Sequence, residues 1–211
     1  MSSVPSLAMR AAPRVRADAR AAYLAGLTVT GALCIGLLAQ VRIEIGIVPI
    51  TGQTLGVLLV GAAFGPALGA GTLILYLVLG VVGMPVFAPN ADGSHEVGWQ
   101  ALAAAAPTAG YLVGFVAAAG VVGVLSRLGW DRSFRSAVAS MLIGSVVLYA
   151  VGLPWLHQAL PALTGQPADW QVTLTAGLYP FVIGDLCKIF VAAGMLPVAW
   201  RVMARLRPEE G

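Results

Sequence analysis

Asp185 and Lys188 stand three residues apart inside Tyr179–Met195, a run whose other side chains are apolar or small. On a helix such a pair shares one face. Each charge costs roughly 2.5–3.5 kcal/mol at the centre of a membrane span, so folding alone does not account for placing both there. A carboxylate beside an ammonium can close a bundle as a structural ion pair, relay a proton or ion, or hold a polar ligand. Intramembrane charges mark substrate or ion paths, and the ligand reading also fits the polar, acidic loops expected above the pair. Counted from Tyr179 at about 1.5 Å per residue, Asp185 lies roughly 9 Å and Lys188 roughly 14 Å below the end of the span. The lysine stem can also snorkel outward.

The elements that position this pair follow from composition. Of 211 residues, 59% are hydrophobic and 10% charged, and the mean hydropathy is +0.88. A soluble domain carries about 25% charged residues, so the chain reads as an integral membrane protein. At roughly 20 residues per crossing, six spans account for the length: about 21–39, 54–64, 67–82, 108–125, 136–156 and 178–203. Gly65-Pro66 separates the second from the third, because proline disfavours helix at the residue before it and cannot donate to the ladder. Pro180 is expected in the first turn of the last helix, where its missing N–H is no loss.

Basic residues orient the bundle. Arg10, Arg14, Arg16 and Arg20 precede span one; Arg127, Arg132 and Arg135 follow span four; Arg201, Arg205 and Arg207 close the chain. Six crossings put these ten of the twelve bases on one side, the cytoplasmic one. The opposite loops hold Arg42 together with Glu44, Asp92, Glu96 and Asp169. The expected fold is an all-α integral membrane protein, a six-transmembrane-helix bundle with both termini cytoplasmic. Residues 1–20 read as a basic, disordered tail, 21–206 as the transmembrane domain and 207–211 as a C-terminal tail. The net charge of +3 then reports topology rather than nucleic-acid binding.

Other chemistries find no support. Cys34 and Cys187 lie within apolar runs as packing residues, and His95 and His157 fall in expected loops, so no metal site is predicted. The chain lacks a Walker-type Gly-Lys-Ser/Thr, a His-Glu-x-x-His and a Ser/His/Asp set at membrane depth, so no enzyme is expected. An intramembrane hydrolase using Asp185 needs a second carboxylate or a metal ligand in another span. A proton-coupled secondary transporter is expected to show two related halves, and no internal repeat is evident.

Several motifs follow one another: Val48-Pro-Ile-Thr-Gly-Gln-Thr-Leu55, Phe64-Gly-Pro-Ala-Leu-Gly69, Leu75-Tyr-Leu-Val-Leu-Gly80 and Gly83-Met-Pro-Val-Phe-Ala88. Pro107-Thr-Ala-Gly-Tyr-Leu-Val-Gly-Phe115 and Pro180-Phe-Val-Ile-Gly-Asp-Leu-Cys-Lys188 complete the series. Together they resemble the BioY family, the biotin-specific substrate-binding (S) component of energy-coupling factor (ECF) transporters, over about 21–206. The resemblance implies a six-helix biotin-binding domain in the cell membrane with an outward-facing pocket. It implies a transmembrane coupling protein and two ATPase subunits as partners, with biotin the transported substrate, no cofactor, and ATP used only by those partners. The alternative is a solitary or proton-coupled secondary transporter of a small carboxylate vitamin.

Within that resemblance, Asp185 can accept a ureido N–H of biotin while Lys188 donates to the ureido carbonyl. Alternatively, Lys188 pairs with the biotin carboxylate and Asp185 orients the ammonium. The connection between spans three and four carries no Arg or Lys, a departure that favours the carboxylate for Lys188. Thr51 and Gln53 can offer hydroxyl and amide groups, or cap the second helix. Asn90 stands near a binding asparagine of the family and equally suits a surface turn. Tyr111 and Trp155 can pack on the bicyclic ring or anchor the membrane interface, and Tyr76 is expected in the core. Ala21, Ala22, Ala25 and Gly26 belong to a small-residue stripe that permits close helix approach. The resemblance assigns it to docking of the coupling protein; packing within the bundle is the alternative.

Overall fold

The computed structural model describes residues 5–12, 17–43, 47–90, 92–95, 97–103 and 106–206. Arg14, Arg16, Glu44, Glu96 and Arg207, which entered the charge argument, lie outside the described residues. The helices are α1 (Leu7–Ala11), α2 (Ala17–Gln40), α3 (Gln53–Phe64), α4 (Pro66–Val81), α5 (Ala109–Arg127), α6 (Phe134–Thr164), α7 (Trp170–Gly177) and α8 (Val182–Leu206). A two-stranded antiparallel hairpin, β1 (Arg42–Ile43) and β2 (Ile50–Thr51), links α2 to α3. Among the described residues α2, α5, α6 and α8 are long and apolar enough to cross a membrane, while α3 and α4 are shorter apolar helices of 12 and 16 residues.

Glycine and proline set the architecture at one end. Gly65 turns the chain between α3 and α4 at φ 80, a left-handed conformation that glycine adopts without steric cost. Pro66 then opens α4 at its first position, as its fixed φ favours. α5 passes this turn so closely that a Cβ on Gly123 would collide with the Gly65 and Pro66 backbone. α5 is accordingly the central helix, 61% buried against 22% for α2, and it packs on α3, α4 and α6. α8 closes the bundle against α3 and α6.

Several expectations are corrected. Part of the tail expected to be disordered is α1, whose Leu7 and Ala8 are buried against α3 and α8; Ser6 Oγ donates to the Phe64 carbonyl at 3.0 Å. Apolar Leu7 repays ordering that the flanking arginines alone do not. α6 runs past Leu156 to Thr164 despite Pro154 and Pro161, and Gly165 at φ 68 ends it. His157 is therefore helical; its ring stacks on Trp170 at 4.1 Å and its Nδ1 lies 2.9 Å from Thr173 Oγ1, fastening α7 to α6. Cys34 and Cys187 face outward on exposed helix surfaces instead of packing inside.

Pro180 lies in the turn before α8, not within its first turn, because α7 consumes residues 170–177. The ion pair consequently stands closer to the start of its helix than a count from Tyr179 gives. Measured from Val182, Asp185 is about 4.5 Å and Lys188 about 9 Å into the helix.

At the arginine-rich end, buried Asp131 connects the α5–α6 loop to two helices. Its Oδ2 accepts from Trp200 Nε1 at 2.6 Å and from Ser126 Oγ at 3.0 Å. The Arg132 guanidinium lies 4.0 Å from the Trp200 ring centroid. Burial pushes the Asp131 carboxyl above the ordinary range, opposed by the hydrogen bonds from Trp200 and Ser126. A folded-state value raised above the unfolded one stabilises fully below the ordinary carboxylate range and loses that contribution as pH climbs towards the folded value. Thermal unfolding in detergent across pH 4 to 8 is expected to show wild type losing stability relative to Asp131→Asn as pH rises. Parallel curves for the two proteins count against this.

Candidate functional site

At the end opposite the arginine-rich one, α3 begins, α8 begins and α6 passes its middle. Thr54 from α3, Tyr149 from α6, and Asp185 and Lys188 from α8 converge there. Lys188 Nζ donates to Asp185 Oδ1 and to Thr54 Oγ1, both at 2.9 Å. Thr54 Oγ1 in turn donates to Asp185 Oδ1 at 3.0 Å, and Tyr149 OH donates to Asp185 Oδ2 at 2.5 Å. The carboxylate is buried and stands in the first turn of α8, where the helix dipole favours negative charge.

These groups line a cavity of about 150 Å³. Its walls are Leu112 and Phe115 of α5, Leu148 of α6 and Phe181; its rim is Arg42, Thr51 and Asn90. An apolar body with a few convergent polar groups is the usual make-up of a small-molecule site.

The expected residues fall into place unequally. Gln53 lines the cavity, yet much of its amide holds structure. Its Nε2 donates to Tyr76 OH at 2.6 Å and its Oε1 accepts from Thr51 Oγ1 at 2.7 Å. Tyr76 is core, packed edge-on to Phe87, and its hydroxyl donates to the Val86 carbonyl at 3.1 Å. Thr51 both lines the cavity and accepts from the Gln53 backbone N–H at 3.3 Å, so its capping and lining readings coexist. Asn90 likewise lines the cavity while closing a turn, with its backbone N–H donating to the Ser94 carbonyl at 2.6 Å.

Tyr111 lines the wall, edge-on to Tyr149, and its hydroxyl donates to the Gly177 carbonyl at 2.9 Å. Trp155 is absent from the lining among the described residues. It packs on Gly110 and its Nε1 donates to the Ala106 carbonyl at 3.2 Å, which holds the connection before α5.

Thr54, Tyr149 and Arg42 also line the cavity and escaped the sequence reading. Thr54 directly follows Gln53, so the same motif carried it. Tyr149 was signalled by a hydroxyl at mid-span, where it must find an acceptor, and Arg42 by being the only base among acidic loops.

Removing one partner of a buried pair leaves an uncompensated charge and costs about 3–5 kcal/mol. Lys188→Ala is therefore expected to melt well below wild type in detergent. The double variant Asp185→Asn with Lys188→Met is expected to recover most of that loss. A double variant no more stable than the single one contradicts this account of the pair.

With this geometry in view, similarity to known proteins is informative. The model of the BioY family matches residues 11–205. The "Biotin transporter BioY" of Rhodobacter capsulatus is 33% identical over 194 residues, covering 88% of this chain and 94% of that relative. The protein of the same description from Thermotoga maritima is 34% identical over 155 residues, covering 74% and 82%. The fold resembles a crystal structure of the S-component for biotin from an ECF-type ABC transporter, with TM-score 0.68 and 21% identity, covering 93% of this chain and 97% of that one. Matched nearly end to end by the family and built of apolar helices long enough to cross a bilayer, the chain belongs to the BioY family and is a multi-pass membrane protein.

Proposed function

We propose that this protein takes up biotin, binding it in the cavity above Asp185 and Lys188 and passing it to the cytoplasm as the S component of an ECF transporter. The observation that carries the reading is the hydrogen-bond capacity left in the polar cluster. Among the described residues Lys188 uses two of its three N–H donors and Asp185 Oδ2 accepts from Tyr149 alone, which leaves a donor and an acceptor position. One free donor beside one free acceptor complements the C=O and N–H edge of a cyclic urea. The apolar walls then suit the sulfur ring and the alkyl chain. Biotin transporters at 33% and 34% identity support the same ligand.

The six helices α2, α3, α4, α5, α6 and α8 act as the spans, with both termini cytoplasmic in the cell membrane. The described bases Arg10, Arg20, Arg127, Arg132, Arg135, Arg201 and Arg205 all fall at the end opposite the cavity, consistent with the positive-inside rule. The protein is a transport component and not an enzyme. Its energy source is a coupling protein with two ATPase subunits.

The small-residue face of α2 is the docking surface for that coupling protein. Ala21, Ala22, Ala25 and Gly26 are exposed, and a Cβ added at Gly26 would meet no other atom within 4 Å. The stripe is thus not used for packing within this bundle.

Equilibrium binding of radiolabelled biotin to the detergent-purified protein tests the ligand. Wild type is expected to bind at low micromolar concentration or tighter, and Asp185→Asn and Lys188→Ala more weakly; no binding by wild type overturns the reading. In cells supplying the coupling module, Ala25→Trp is expected to keep biotin binding and lose module-dependent uptake. Loss of both activities argues against docking at this face.

A further inference from the structure

α7 is held at each end by polar contacts. At its last residue, the Gly177 carbonyl accepts from the Tyr111 hydroxyl at 2.9 Å, and a Cβ on Gly177 would collide with that hydroxyl and with Leu156. Tyr111 lines the cavity, and so does Phe181 in the turn after α7, so α7 is joined to the wall of the site. Nearer its start, α7 is fastened by His157 of α6. The imidazole lies parallel to the Trp170 indole, with 4.1 Å between centroids and 9° between planes. Its Nδ1 stands 2.9 Å from Thr173 Oγ1. Thr173 is buried, and its hydroxyl donates to the Asp169 carbonyl at 2.8 Å. A hydroxyl has one proton to give, so towards the ring Thr173 Oγ1 accepts, and His157 Nδ1 carries the hydrogen. A proton added to the imidazole therefore goes to Nε2 and leaves this bond intact.

We propose that His157 is a pH-sensitive positioning residue: when protonated it clasps α7 more tightly to α6 and slows exchange of the ligand. The inference takes its ligand from the biotin reading above. Histidine is the side chain whose charge ordinarily changes between pH 5 and 8, and His157 is only half-buried, so protons reach it. The neutral ring offers Trp170 stacking alone. With Nε2 protonated, a positive charge lies over the indole face, where the ring quadrupole attracts it. Nothing charged nearby opposes this. Between Arg135 and Asp185 the sequence holds one acid, Asp169, and no Lys or Arg. The Asp169 carboxylate accepts from the Gln171 N–H at 2.8 Å, one residue before Trp170, and favours a cation there. On α5, Arg127 lies at the opposite end and Tyr111 is engaged by Gly177. On α8, Asp185 and Lys188 pair with each other at the height of Tyr149, about 12 Å before His157 along α6; Arg201 and Arg205 lie at its far end. Tyr179, after α7, is exposed. Acid thus adds an attraction and removes none. Lifting α7 would take the Gly177 carbonyl from Tyr111 and shift Phe181, which is how a clasp remote from the ligand reaches the cavity.

Dissociation of radiolabelled biotin from the detergent-purified protein, followed from about pH 8 to about pH 5.5, tests this. The proteins compared are wild type, His157→Gln, Trp170→Leu and His95→Gln, His95 being the other histidine of the chain. Wild type and His95→Gln are expected to release biotin about two- to fivefold more slowly at the acid end, the factor that a cation over an indole supplies. His157→Gln and Trp170→Leu are expected to release it faster than wild type at the acid end, at a rate that no longer follows pH. A purely structural role for His157 would speed release equally at every pH. That result, or a slope that survives in His157→Gln or vanishes in His95→Gln, overturns the proposal. Without ligand, the melting-temperature advantage of wild type over His157→Gln is expected to widen as pH falls, and a constant difference overturns the clasp. Wild type that shows this widening yet binds no biotin overturns the biotin reading and leaves the clasp standing.

Discussion

A carboxylate buried among apolar helices tolerates few surroundings, and that intolerance shapes the upper half of this bundle. Desolvation costs several kcal/mol per ion unless attraction and hydrogen bonds replace the lost water. Asp185 meets the condition through donors from three helices: Thr54 on α3, Tyr149 on α6 and Lys188 on its own α8. Moving any one of the three would strip a bond from the carboxylate. The pair thus acts as a geometric clamp, and the cavity is the space that remains between the clamped helices.

The two ends of the molecule are built on different principles. At the arginine-rich end, helices approach to backbone contact around Gly65, Pro66 and Gly123, and Asp131 fastens the α5–α6 loop to Trp200. At the cavity end, separation is maintained by large side chains and the roof is a set of loops. A relay from Thr51 through Gln53 and Tyr76 to the Val86 carbonyl ties the hairpin to the loop that carries Phe87 and Asn90. The roof is thus anchored as a unit by a few polar side chains, while the floor is fixed by packing.

Much of this was legible in sequence because hydrocarbon imposes a strong code. Long apolar runs, the Gly65-Pro66 break and the asymmetry of arginines located the helices, and two charges in an apolar run located the site. What stayed illegible depended on tertiary partners. Tyr149 becomes a site residue only because α6 faces α8 at that height. Trp155, one turn and a half further on, turns to the Ala106 carbonyl instead. Its aromatic character alone could not distinguish the two fates. α1 and α7 were hidden by shortness, since five and eight residues leave too little periodicity to read.

The proposed docking face and the cavity share a helix without sharing residues. Among the described positions, no residue of α2 lines the cavity, so a partner seated on Ala21, Ala22, Ala25 and Gly26 would not touch the ligand. Yet α2 ends at Gln40, two residues before Arg42, and the Gly52 N–H at the far side of the hairpin donates to the carbonyls of Leu38 and Val41, both at 3.1 Å. The hairpin is therefore bonded to the last turn of α2 as well as joined to it. It is bonded to the start of α3 too, through Thr51 and Gln53, so a displacement of either helix would reach Thr51 and the cavity it lines.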